Sequence, residues 1–180
     1  MRTSVVLGQW LDRSLASDAE LAVTADRLGY PQLWVPEMAK ADSPAMAATI
    51  AARTSSIDLV LGPLAVTVRS PVQIAIALQT VAAAMPDRGV HVALGTSSVT
   101  VARWHDRSRA GAADLLATAV RDLGELLDGG RVNGFRLSQP PAPRPTITVA
   151  AFGPRAVAAA HGADRMVLNM VTVETAGRLI

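Results

Sequence analysis

The side chains in this sequence that could do chemistry are few and far apart. Glu37 stands just after a short apolar run, where a carboxylate could relay a proton or accept a hydrogen bond, or serve as a structural acid behind a loop. His105 follows Trp104 in a polar stretch; its imidazole could exchange a proton, cap a helix or lie at the surface. Trp10 offers an indole that could stack on a flat ligand or act as a lid. Two loops contribute backbone and hydroxyls. Gly95-Thr96-Ser97-Ser98 joins a residue without a side chain to three hydroxyl groups, which suits close approach and hydrogen bonding to a ring edge or a phosphate. Ala150-Ala151-Phe152-Gly153 runs into Pro154, a helix-starting residue, so amide N–H groups there could cradle a phosphate at the positive end of a helix. Each loop also reads as an ordinary strand-to-helix turn.

Other chemistries are excluded by residue type. There is no cysteine, which removes disulfides, thiolate zinc sites and a cysteine nucleophile together. No pair among His91, His105 and His161 has metal-ligand spacing, so no metal site is expected. His91 reads as strand packing, and His161 as a helix-end group favourable to the dipole. No serine sits in a nucleophile elbow.

Composition bounds what holds these groups. The 180 residues are 50% hydrophobic and 18% charged, which suits one folded domain over 1–180 and excludes disorder. Seventeen Lys plus Arg against fifteen Asp plus Glu leave a formal +2, with the basic residues scattered singly and Lys40 the only lysine. A nucleic-acid surface would need them clustered. No apolar stretch approaches the roughly 20 residues of a membrane span. Val5-Val6-Leu7 is soon interrupted by Gln9, Asp12 and Arg13, so no signal peptide is read there and a cytoplasmic location is expected.

Short β-branched runs alternate with Ala-rich stretches of helical period, the pattern of repeated βα units on a parallel sheet. Strands are expected over 4–8, 32–35, 57–61, 90–94, 146–150 and 166–169. Helices are expected over 18–28 with Ser17 as cap, from Ser43 as cap to about 54 with Pro44 at the first position, over 71–85, over 112–127 and over 154–160, with another from 174 onward. Residues 95–109 read as a polar loop and 140–145 as a Pro-rich connector. One βαβ unit takes roughly 30 residues, and a closed eight-unit barrel about 250. Six units therefore suit either an open doubly wound sheet or an incomplete barrel, although the glycine fingerprint of dinucleotide-binding sheets is absent after the first strand, where Leu7-Gly8-Gln9-Trp10 stands.

Several motifs, in order, resemble the bacterial-luciferase-like superfamily, and within it the deazaflavin (coenzyme F-420) dependent oxidoreductases. They are the run from Leu28-Gly29-Tyr30-Pro31 through Trp34-Val35-Pro36-Glu37, Leu61-Gly62-Pro63 with Arg69-Ser70-Pro71, and Pro86-Asp87-Arg88 before Ala93-Leu94-Gly95-Thr96-Ser97-Ser98. Trp104-His105, the stretch Leu126 to Gly134, Val149 to Ala156, and Gly162-Ala163-Asp164 before Leu168-Asn169 continue it. The resemblance spans nearly the whole chain. It implies an α/β fold of the TIM-type (β/α)8 barrel, incomplete, with about six βα units present and the C-terminal part lacking.

The resemblance also implies a cofactor at the carboxyl ends of the strands: deazaflavin coenzyme F-420, or alternatively FMN. Gly62 and Pro63 align with a cis-peptide bulge that supports the ring, and Gly95, Thr96, Ser97, Ala151, Phe152 and Gly153 form the remainder of the expected cofactor site. Glu37, Trp10 and His105 are the catalytic candidates. The implied activity is hydride transfer to or from a small organic substrate. Unpaired first and sixth strands leave three outcomes: a fragment of a longer protein, a homodimer that pairs its edges, or a shortened non-catalytic relative acting as a binding or structural protein.

Overall fold

The computed structural model describes residues 3–8, 12–168 and 171–179, so Trp10, Asn169 and their neighbours lie outside the described residues. Six parallel strands follow in strict sequence order: β1 (Val5–Val6), β2 (Gln32–Val35), β3 (Asp58–Ala65), β4 (Val90–Gly95), β5 (Ile147–Ala151) and β6 (Arg165–Leu168). That order, without any switch point, is the arrangement of a barrel wall and resolves the choice left open by periodicity. The sheet is a curled half-barrel.

Helices α1 (Leu15–Arg27), α2 (Ser43–Ala51), α3 (Pro71–Ala83), α5 (Ala112–Leu127) and α6 (Pro154–Ala159) cover its outer face, whereas α4 (Val99–Trp104) follows β4 at the carboxyl rim and α7 (Val173–Leu179) follows β6. The longest, α5, forms because Leu116, Val120, Leu123 and Leu127 recur at helical spacing and bury one stripe against the sheet. Emptying that stripe with Leu123→Ala would cost roughly 2–5 kcal/mol. Strand residues alternate between two environments. Leu59, Leu61, Val92, Val149 and Ala151 join the helix-side core, whereas Val60, Ala93 and Ala150 are buried outside that core cluster.

Three local expectations are corrected. Ser14, not Ser17, caps α1, accepting the Ser17 amide at 3.1 Å. Asp42, not Ser43, caps α2, accepting the Ala45 amide at 2.8 Å. Residues 95–109 are not simply a loop, because Ser98 caps the short helix α4 within them.

Ser43, freed from capping, is fully buried and joins three elements. Its hydroxyl donates to the Val35 carbonyl at 2.5 Å and accepts from the Gly62 amide at 3.1 Å. Gly62 begins a bulge where the β3–β4 register shifts between Leu61 and Leu64, and the Gly62–Pro63 peptide is cis. Only glycine fits there. Its φ is +106°, and an added Cβ would lie 2.4 Å from the Leu64 nitrogen and 2.5 Å from the Ala93 oxygen. The bulge thereby directs Pro63 toward the carboxyl rim of the sheet.

Candidate functional site

The strands deliver their carboxyl ends to one rim, and three depressions run along it in contact with one another. The middle one, about 230 Å³, is walled largely by apolar groups: Pro36, Met38, Pro63, Leu64, Val101, Ala150 and Phe152, with Gly95, Ser97 and Ser98 at its edge. Phe152 is 58% exposed, a large aromatic face left in solvent at the opening.

Phe152 also lines the second depression, about 400 Å³, together with Thr96, Arg109, Gly111, Asp114, Gly153 and Arg155. Arg109 is oriented from two sides: its Nε donates to the Ser97 carbonyl at 2.7 Å and its Nη2 to the Thr96 hydroxyl at 2.8 Å. Ser97 adopts a left-handed conformation, φ 56°, that turns this carbonyl toward Arg109. Among the described residues neither Arg109 nor Arg155 forms an ion pair, so two cations remain available over this hollow. Gly153 leaves open space where a side chain would stand, since no heavy atom lies within 4 Å of its would-be Cβ.

The third depression, about 390 Å³, shares Glu37 and Met38 with the middle one and adds Lys40, Asp42, Arg69, Gln73 and His105. Here Glu37 is held on both oxygens. Arg69 donates through Nε at 2.7 Å and Nη2 at 2.6 Å, and the Ser43 amide donates at 3.1 Å. Arg69 also pairs with Asp42. Hydrogen bonding to Glu37 holds the Arg69 guanidinium even more firmly protonated than usual, against the opposing effect of burial. Such a two-point fork fixes a carboxylate in orientation. Lys40 is drawn back to the buried Asp18, at 2.5 Å, which Arg13 also contacts at 3.0 Å. His105 is exposed and ends α4.

The structure therefore brings Glu37 and His105 to one hollow, places Pro63, Gly95, Ser97 and Phe152 around the next, and sets Thr96 and Gly153 with Phe152 around the last. Gly62 lies beneath the rim as the hinge of the bulge. Ala151 turns into the helix-side core, and its neighbour Ala150 faces the cavity instead. Sequence reading did not assign Arg69, Arg109 or Arg155 to the site, although Arg69 and Arg155 fall within motifs that carry the resemblance. Arg69 and Arg109 are joined to their partners across 32 and 13 positions, a separation that no local pattern reveals. Among the described residues no cluster of three His, Asp or Glu could hold a metal ion, and no helix is long and apolar enough to cross a membrane.

The chain matches the family model described as luciferase-like monooxygenase over residues 3–180, and it belongs to that family. A comparison with curated proteins finds no match. Among solved structures it is similar to apo-MsnO8, with 26% identity and a TM-score of 0.69, over 88% of this chain and 52% of that one. It is similar to the coenzyme F420 dependent tetrahydromethanopterin reductase of Methanopyrus kandleri at 15% identity and a TM-score of 0.75, over 93% and 55%. A third likeness is the FMN-bound oxygenating constituent of 3,6-diketocamphane monooxygenase from Pseudomonas putida, at 14% identity and a TM-score of 0.75, over 93% and 57%. The chain thus spans little more than half the length of these structures.

Proposed function

We propose that the rim binds a deazaflavin or flavin coenzyme, F-420 or FMN, and that the protein serves an oxidoreductase reaction on a small organic substrate. The observation that carries this reading is the order of the three depressions: a cationic hollow, an apolar slot and a polar hollow, each touching the next. A ligand with a phosphate tail and a flat ring has its groups in that order.

The residues present fit such a ligand chemically. Arg109 and Arg155, with the Thr96 hydroxyl and the open backbone at Gly153, supply charge-assisted donors for a phosphate. Asp114 on the same wall limits the net positive charge. Pro63, Ala150 and Phe152 offer flat or small apolar surface for a ring, which gains by leaving water. When bound, the ring would supply the hydride chemistry, and the protein would orient it and keep the pocket dry.

Within that arrangement Glu37 acts as an acceptor. Arg69 and the Ser43 amide hold its two oxygens in place by hydrogen bonds, so it is positioned to receive a ligand N–H. His105 is the group in the same hollow that can exchange a proton with a substrate or with solvent. The expected result of titrating purified chain with F-420 and with FMN, followed by their fluorescence, is saturable binding of one of them at micromolar concentration. No binding of either to folded chain would support a non-catalytic relative and end the oxidoreductase reading.

A further inference from the structure

A further hollow, of about 660 Å³, lies away from the carboxyl rim, in the segment that leads from α5 to β5. Asn133 and Gly134 both take left-handed backbone, φ 50° and 82°, and so make the two-residue turn of a minimal hairpin. Val132 and Phe135 bond to one another across it in both directions, at 3.0 and 2.9 Å, and both pack against the core. Gln79 of α3 pins the outgoing chain, its Oε1 accepting the Gln139 amide at 3.0 Å. Arg131 precedes Val132 and Arg136 follows Phe135, so the two arginines stand opposite each other on the fixed hairpin, and both line the hollow.

Like charges set directly opposite on paired strands cost stability. No acid offsets them here. Among the described residues neither Arg131 nor Arg136 forms an ion pair: Asp128 is taken by Arg144, and Glu125, whose carboxylate lies against Gly130, pairs with neither. Arg131 spends one N–H on the Gly134 carbonyl, at 3.2 Å, which aims it across the turn. Its remaining donors, and those of Arg136, face the hollow without an acceptor among the described residues. The floor is of another kind: Leu137 is buried, Phe135 half-buried, and Pro140 closes one side.

We propose that Arg131 and Arg136 hold the phosphate of a small organic phosphomonoester, whose organic part rests on Phe135, Leu137 and Pro140. Charge decides the head group. A phosphomonoester carries close to two negative charges near pH 7, which match two opposed guanidinium groups, and their planar forks suit its oxygens. Volume and lining decide the rest, because the hollow is larger than a phosphate needs and its floor is apolar. Binding would also relieve the repulsion between the two arginines, a gain that a neutral ligand could not supply. The site does not depend on the coenzyme reading, since none of its residues lines the three depressions of the carboxyl rim.

The test follows the backbone amide signals of the isotope-labelled chain by NMR during titration with phenyl phosphate, inorganic phosphate and benzoate. Saturable shifts at the amides of residues 131–138 are expected, with phenyl phosphate bound more tightly than either of the other two. The Gly153 amide reports the rim hollow separately, so occupancy there is not mistaken for occupancy here. Arg131→Gln with Arg136→Gln should weaken phenyl phosphate at the hairpin by about tenfold or more and leave the response of Gly153 as it was. In chloride buffer the same variant should resist urea at least as well as the parent, because it removes repulsion. No saturable shift at the hairpin, equal binding of benzoate or inorganic phosphate, a variant that binds like the parent, or a variant less stable than the parent would overturn the proposal.

Discussion

The two rims of the half-barrel use the same residue types for opposite ends. At the amino-terminal rim, acidic groups are consumed by the backbone. Asp26 accepts from Ser55, Ser56 and Ile57 ahead of β3, Asp58 from the Gly89 amide ahead of β4, and Asp164 from the Ile147 amide at the start of β5. Arg144 then ties Asp164 to Asp128. At the carboxyl rim the pattern reverses: Glu37 is taken up by Arg69, and Arg109 and Arg155 keep donors to spare. In barrels the first rim generally serves stability and the second chemistry, and here the difference can be seen in which groups have been left with unused hydrogen-bonding capacity.

That contrast can be broken experimentally. The largest effect is expected from Arg109→Ala combined with Arg155→Ala. Two charge-assisted contacts of about 1.5 kcal/mol each correspond to roughly a 100-fold loss of coenzyme affinity. Fluorescence titration would measure this, and the melting temperature should stay where it was. A collapse in stability would mean that these arginines belong to the scaffold.

The converse change is Asp26→Ala. Burial alone would raise the Asp26 pKa, but hydrogen bonds from Ser55, Ser56 and Ile57 prevail and hold it well below the usual carboxylate range. Removing that acceptor should lower unfolding free energy by about 1–2 kcal/mol in urea and leave coenzyme affinity unchanged. An altered affinity would show that the two rims are coupled.

The smallest effect is expected from His91. Its Nδ1 accepts the Thr146 amide at 3.1 Å, and its Nε2 lies 3.9 Å from Asp58. Burial lowers its pKa from the ordinary 6.5, with Arg165 adding to the effect and Asp58 and Asp164 opposing it. The fold thus favours the neutral imidazole, so the stabilisation is complete above about pH 6.5 and is lost as pH falls from there through the folded value. Denaturation midpoints across that window should decline for the parent chain and stay flatter for His91→Gln, whose side-chain oxygen can still accept the Thr146 amide. Equal slopes would remove His91 from the account.

How much of this was legible in advance depended on how far apart the interacting groups were. The limits of β2 and α5 could be read directly, because each carries strong local pattern and clear stops. The caps of α1 and α2 were misplaced by a few residues, since Ser14 and Ser17, and Asp42 and Ser43, are equally good capping types and only geometry chooses between them. The helix α4 was hidden by its short length. The rim's cationic groups were invisible because Arg69 and Arg109 gain meaning only from partners brought close by the sheet. Ala150 and Ala151 could not be told apart, as they are the same residue type and both faces of β5 are buried, so no exposed residue marks which side each takes.

That last ambiguity has a consequence for how this chain can vary in length. Neighbouring residues of β5 serve different environments, so a single inserted or deleted amino acid between Arg144 and Ile147 would exchange them, sending Thr148 toward the helices and a core valine toward the rim depression. The segment before Arg144 has no such parity to keep. Natural or engineered changes of length should therefore accumulate ahead of that arginine and stop there.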